Sequence, residues 1–146
     1  MEQILVVVFY IQESPGHPKR ILFLTEGETL ALPMIGMVPG RNPAGDFPNL
    51  LTRYHFSFSA KPEFPVIAMY APWDFADGRK AICVCVQQVD KEFFSTQGAG
   101  HSDVRWLSRI EPDCLDPLSV AVFTQRSMSQ YRPYVIKDEP QRSTSG

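Results

Sequence analysis

Asp46, Arg53, Tyr54 and His55 fall within one short stretch of this chain, next to a loop that also carries Arg41. A carboxylate there is a candidate general base or metal ligand. An arginine beside a tyrosine and a histidine is a candidate reader of an anionic or aromatic group. The plainer role for these residues is packing by Tyr54 and a solvated Arg53. A second group, Trp73, Asp74 and Asp77, lies in and after the segment Ala71-Pro72-Trp73-Asp74-Phe75. An indole on a strand-end loop can stack on a ligand, or it can cover the edge of the core. Arg41, Asp46, Arg53, His55, Trp73 and Asp74 are therefore the candidate ligand-binding residues. No spacing designates a catalytic residue.

Other constellations are weaker. There is no Gly-x-Ser-x-Gly elbow for a serine nucleophile. His17, His55 and His101 lack the close ligand spacing of a metal site, so neither a metal nor a cofactor is expected. Cys83 and Cys85 alternate with apolar residues in a strand pattern, which points them to one face as core fillers rather than thiolates paired with His55 or His101. Gly98 and Gly100, before His101 and Ser102, could turn backbone N–H groups toward a phosphate. Without a following helix or a third glycine, a plain loop is the reading.

The elements that must position these residues follow from composition and pattern. With 146 residues, 44% hydrophobic and 21% charged, the chain has the make-up of one globular domain. A net charge of -2 gives no electrostatic reason to expect nucleic acid or an anionic membrane as partner. No run approaches the roughly 18–20 apolar residues that cross a bilayer. The apolar stretch Ile4–Ile11 lacks the basic flank and cleavage site of a signal peptide, so it reads as a buried first strand. Three cysteines leave an odd thiol, which argues against a disulfide framework and for a reducing, cytoplasmic location.

Thirteen prolines break the chain into short elements. Strands are predicted at 3–11, 20–24, 29–32, 66–70, 80–89 and 104–107. Residues 33–48 read as a long irregular loop. Asp46 is the expected cap of a helix over 47–55, with Pro48 in its first turn. Phe56 and Phe58 leave open whether a strand begins there. Residues 71–79 are expected to form a loop closing on the turn Ala76–Arg79. The Asp116-Pro117 pair starts a second helix over 117–130. The globular unit is expected to span 1–136, with a flexible polar tail at 137–146. This is α+β: a mixed β-sheet of about six to eight strands with two helices.

Leu22-Phe23-Leu24, followed by Leu30-Ala31-Leu32-Pro33, and the later segment Asp103-Val104-Arg105-Trp106-Leu107-Ser108-Arg109-Ile110 carry a resemblance to the Nudix family. The first resembles the hairpin leading into the family's signature loop-helix, the second the strand and turn before its last helix. The resemblance covers about 3–130 and implies an α/β/α sandwich. In that family, glutamates on the loop-helix hold magnesium against a diphosphate. Counting from Gly40, the first such position is Asp46. The Arg-Glu pair falls on Tyr54 and His55, and the Glu-Glu pair on Phe58 and Ser59. Residues 29–62 contain no glutamate.

The resemblance therefore implies a non-hydrolytic domain that binds a nucleotide-like ligand or a protein through the 33–48 loop, Arg53–His55 and the 71–79 loop. One alternative is a hydrolase of nucleoside diphosphate derivatives with a rebuilt metal site, using Asp46, Asp74 or Asp77. The other is a small interaction or inhibitor-type domain unrelated to Nudix.

Overall fold

A computed structural model of the chain describes residues 2–38, 40, 42–56, 66–94 and 103–135, and residues 66 and 68–71 by their backbone alone. Successive side chains of a strand point to opposite faces. β1 (Glu2–Ile11) thus sends Ile4, Val6 and Val8 into one core and Leu5, Val7 and Phe9 into another. β2 (Arg20–Glu26) divides its side chains in the same way, with Ile21 and Phe23 against Leu22 and Leu24. β3 (Thr29–Ala31) turns back along β2, and β4 (Met34–Met37) pairs antiparallel with the first half of β1.

α1 (Pro43–Arg53) follows and covers the second core with Phe47, Leu50 and Leu51. β5 (Val66–Phe75) pairs antiparallel with β6 (Gly78–Gln88). β6 runs parallel to β1 from Glu2↔Lys80 to Tyr10↔Gln88, placing Cys83 and Cys85 on the α1 side. β7 (Asp103–Leu107) pairs with β2. The order is β3-β2-β1-β6-β5, with β4 beside β1 and β7 beside β2.

α2 (Pro117–Thr124) and the 3-10 segment Arg126–Tyr131 close the first core with Leu118, Val122, Phe123 and Met128. The result is a mixed sheet between helical layers, with seven strands and two α-helices among the described residues. Among those residues no helix is long and apolar enough to cross a membrane. Cys83, Cys85 and Cys114 are free thiols, the first two buried, so no disulfide joins them.

Four expectations are corrected. The 33–48 segment is not one irregular loop, because Met34–Met37 forms β4. Pro33 precedes the strand, and an edge strand tolerates Gly36. α1 begins at Pro43 rather than after Asp46: the Asn42 side chain accepts the Ala44 N–H at 2.9 Å, with proline at the first helical position. Asp46 then lies inside the helix and is buried.

Residues 71–75 continue β5 instead of forming a loop. Pro72 is accommodated because β5 is the edge of the sheet, so its missing N–H breaks no inner ladder. Finally, α2 ends at Thr124, where Gln125 turns extended (ψ 138) and the chain tightens into 3-10 turns. Val120, Val122 and Thr124 are β-branched and weak helix formers. Phe58, the 97–101 loop, His101 and the 137–146 tail lie outside the described residues.

α2 is tied to the strands by one buried side chain. Ser119 Oγ accepts the Leu32 N–H at 3.0 Å, while the Ser119 N–H donates to the Asp116 carboxylate at 3.1 Å. Ser119→Ala strands the Leu32 donor in the core, at a cost of about 1–3 kcal/mol. The expected outcome is a melting temperature lower by several degrees. An unchanged melting temperature would show that the hydrogen bond contributes nothing.

Candidate functional site

The end of α1 is shaped by its terminal hydrogen bonds. His55 N–H donates to the Thr52 carbonyl at 3.1 Å and Phe56 N–H to the Leu51 carbonyl at 3.3 Å. His55 has φ 52, in the left-handed region. This is the Schellman arrangement, in which the residue after the cap turns left-handed and the chain leaves the helix axis. Arg53 is thereby held in the last helical turn. Next to it, the Tyr54 hydroxyl donates to the Met34 carbonyl at 2.8 Å and accepts the Met34 N–H at 3.2 Å. One phenol thus fastens the helix end to β4. Burial pushes the Tyr54 pKa up, so the hydroxyl keeps the proton it donates.

A cleft of about 530 Å³ opens at this junction, within the usual range for small-molecule sites. Met34, Ile35 and Gly36 of β4 form one wall, and Phe75, Asp77 and Lys80 of the β5–β6 hairpin another. Asp116, Pro117 and Leu118 bring in the start of α2, Glu2 and Ile4 the start of β1, and Arg53 the end of α1.

The charges in this cleft differ in how far they are committed. Lys80 Nζ lies 3.0 Å from Asp77 Oδ2, 3.8 Å from Glu2 Oε2 and 5.4 Å from the Phe75 ring centre. The hydrogen bond to Lys80 holds the Asp77 carboxyl below its ordinary range, and the same bond holds Lys80 above its own. Both therefore stay charged throughout the neutral range. Asp116 caps α2. Among the described residues Arg53 pairs with no carboxylate, and its guanidinium sits 5.8 Å from the Tyr54 ring centre.

Of the six residues singled out in the sequence, the cleft wall includes Arg53. Trp73 packs against the α2-side core. Asp74 is exposed, its carboxylate 3.6 Å from Arg79 Nε. Asp46 is buried within α1, and His55 occupies the left-handed position beyond its end. Arg41 lies outside the described residues. Lys80, Phe75, Glu2 and Asp116 went unnoticed as site residues because they read as ordinary strand and cap positions. The turn Ala76–Asp77 before Gly78 and Lys80 was the available signal.

No family model matches the sequence, and no curated protein is similar to it in sequence. Solved structures do match. A NUDIX hydrolase from Nitrosomonas europaea superposes with a TM-score of 0.60 at 14% identity, over 92% of this chain and 93% of that one. The NUDIX domain of Shewanella oneidensis NrtR, solved with ADP ribose, covers 71% of this chain and 70% of its own, with a TM-score of 0.53 at 12% identity. The C-terminal domain of mouse MUTYH, solved in complex with human PCNA, has a TM-score of 0.60 at 15% identity over 92% of each chain.

The fold is Nudix-like.

The Nudix resemblance implies a magnesium ion near α1, and the residues can be tested for it. Magnesium needs hard oxygen ligands converging in octahedral geometry. α1 carries the single carboxylate Asp46, buried and apart from the cleft wall. In the cleft, Glu2 and Asp77 are engaged by Lys80, and Asp116 caps α2. Among the described residues no three His, Cys, Asp or Glu side chains group in a way that could hold a metal ion. This donor set does not fit magnesium. The thiols of Cys83 and Cys85 are buried in the α1-side core, where their mutual contact pulls Cys83 down and, with burial, pushes Cys85 up.

A left-handed backbone costs roughly 1–2 kcal/mol for a residue with a Cβ. Glycine avoids that cost but loses more entropy on folding. His55→Gly is therefore expected to melt within a few degrees of the parent, and His55→Val clearly lower. A larger loss for the glycine variant would show that side-chain contacts of His55 outweigh its backbone role.

Proposed function

We propose that this chain is a non-hydrolytic Nudix-like domain that binds a nucleotide-like ligand in the cleft between α1, β4, the β5–β6 hairpin and the start of α2. The observation that carries this reading is Arg53. It is a guanidinium without a carboxylate partner among the described residues, at the edge of a cleft whose walls include Met34, Ile35, Phe75, Pro117 and Leu118. Arginine is suited to a phosphate because its fork makes two parallel hydrogen bonds. An aromatic and aliphatic wall suits the flat apolar body of a base. The ADP ribose bound by the NrtR domain, on the same fold, supports this ligand class.

The non-hydrolytic part of the reading rests on α1. Its only carboxylate is buried away from the cleft wall, and the glutamates a Nudix hydrolase uses there are absent from the sequence. Of the residues singled out in the sequence, Arg53 is assigned the central role. The three free thiols fit a reducing compartment such as the cytoplasm.

Thermal denaturation with a panel of nucleosides, nucleotides and ADP ribose tests this. A ligand at a hundred times its Kd stabilises the native state by about 2.7 kcal/mol, on the order of 8 °C for a chain of this size. Arg53→Ala is expected to reduce that shift while leaving the ligand-free melting temperature nearly unchanged. The ligand is expected to be recovered intact, with or without magnesium. A panel that moves nothing would contradict the binding reading. Magnesium-dependent cleavage would favour the rebuilt-hydrolase alternative.

A further inference from the structure

The charges in the cleft say more about the ligand than that it is nucleotide-like. Among the described lining residues the cations are Arg53 and Lys80, and Lys80 is already engaged by Asp77 at 3.0 Å and Glu2 at 3.8 Å. Asp116 adds a third carboxylate to the lining, so acids outnumber cations.

A polyphosphate chain needs a cation for each added charge, and like charges brought together repel. Among the described lining residues one guanidinium is available. A second phosphate would have to displace a carboxylate from Lys80 or lie beside Glu2 and Asp77 unpaired. Among the described residues no group of donors that fits magnesium stands by to neutralise it. Phe75, Met34 and Leu118 add apolar lining to a cleft of about 530 Å³, which suits an uncharged, flat body.

We infer that the cleft selects a ligand with one anionic group on an aromatic body, a nucleoside monophosphate in preference to a di- or triphosphate. This rests on the reading of the cleft as a ligand site. The Glu2–Lys80–Asp77 triad acts as the specificity element, keeping Lys80 occupied and turning longer phosphate chains away.

The test is an affinity ladder by calorimetry: nucleoside, monophosphate, diphosphate and triphosphate of adenine and of guanine, in chelator so that no free metal masks charge. The monophosphate is expected to bind roughly tenfold or more tighter than its nucleoside, the usual scale of a charge-assisted hydrogen bond. The di- and triphosphates are expected to bind no tighter than the monophosphate. Arg53→Ala should bring monophosphate and nucleoside to similar affinity. Glu2→Gln combined with Asp77→Asn releases Lys80 and should raise diphosphate affinity relative to monophosphate by roughly tenfold. Both sites are exposed, so the fold should be retained, and the wild-type ladder decides the matter without either variant.

Affinity that rises with each phosphate would overturn the inference while leaving the cleft as a nucleotide site. A ladder in which nothing binds would overturn the cleft reading and the inference with it.

Discussion

Everything in this fold depends on β1 being buried on both faces. Leu5, Val6, Val7, Val8 and Phe9 are fully buried, and burial of each large apolar side chain stabilises by about 1.5–3 kcal/mol. A strand with apolar side chains on both faces cannot lie at a sheet surface. It requires a layer above and a layer below, and strands along both its edges. β6 answers on one edge, and β2 and β4 share the other. α1 and α2 supply the two layers, and Phe9 gathers Phe47, Phe56 and Phe93 around it on the α1 side. The Nudix-like sandwich is the economical solution to that one strand.

The same constraint creates the cleft. β1 shares one edge between two partners, with β4 along its first half and β2 at its far end. The short β4 leaves the wall at which the end of α1 and the start of α2 meet. Tyr54 closes the join by binding both polar groups of the Met34 backbone, and Ser119 does so by binding Leu32. Arg53, Asp77 and Asp116 in the cleft lining therefore sit at helix ends and on a hairpin, positions fixed by caps and turns. A scaffold of this kind can vary the charges of its cleft without changing its core, and among the described residues the cleft sets Arg53, without a carboxylate partner, beside an ion-paired Lys80.

Much of this was legible in the residues. The apolar run Ile4–Ile11, the alternation through Cys83 and Cys85, and the Asp116-Pro117 start all express local rules that the tertiary structure does not override. β4 was hidden because Pro33, Gly36 and Pro39 carry loop signals, and only pairing with β1 makes Met34–Met37 a strand. The start of α1 differs from the expected one because Asn42-Pro43 and Asp46 offer competing cap signals, and the Asn42 side chain takes the cap by accepting the Ala44 N–H. Arg53 could be picked out by its type and neighbours. Glu2 and Asp116 could not, since they come from distant parts of the chain and approach Lys80 only once the sheet is assembled.

Amide spectra of the isotope-labelled protein, recorded during titration with a nucleoside monophosphate, would show whether a ligand seats in this cleft against Arg53. Perturbations are expected to be confined to Met34–Gly36, Arg53–Tyr54, Phe75–Lys80 and Asp116–Leu118, with Arg53→Ala abolishing saturable change at the same ligand concentrations. Perturbations centred elsewhere, or an identical response from Arg53→Ala, would contradict that seating.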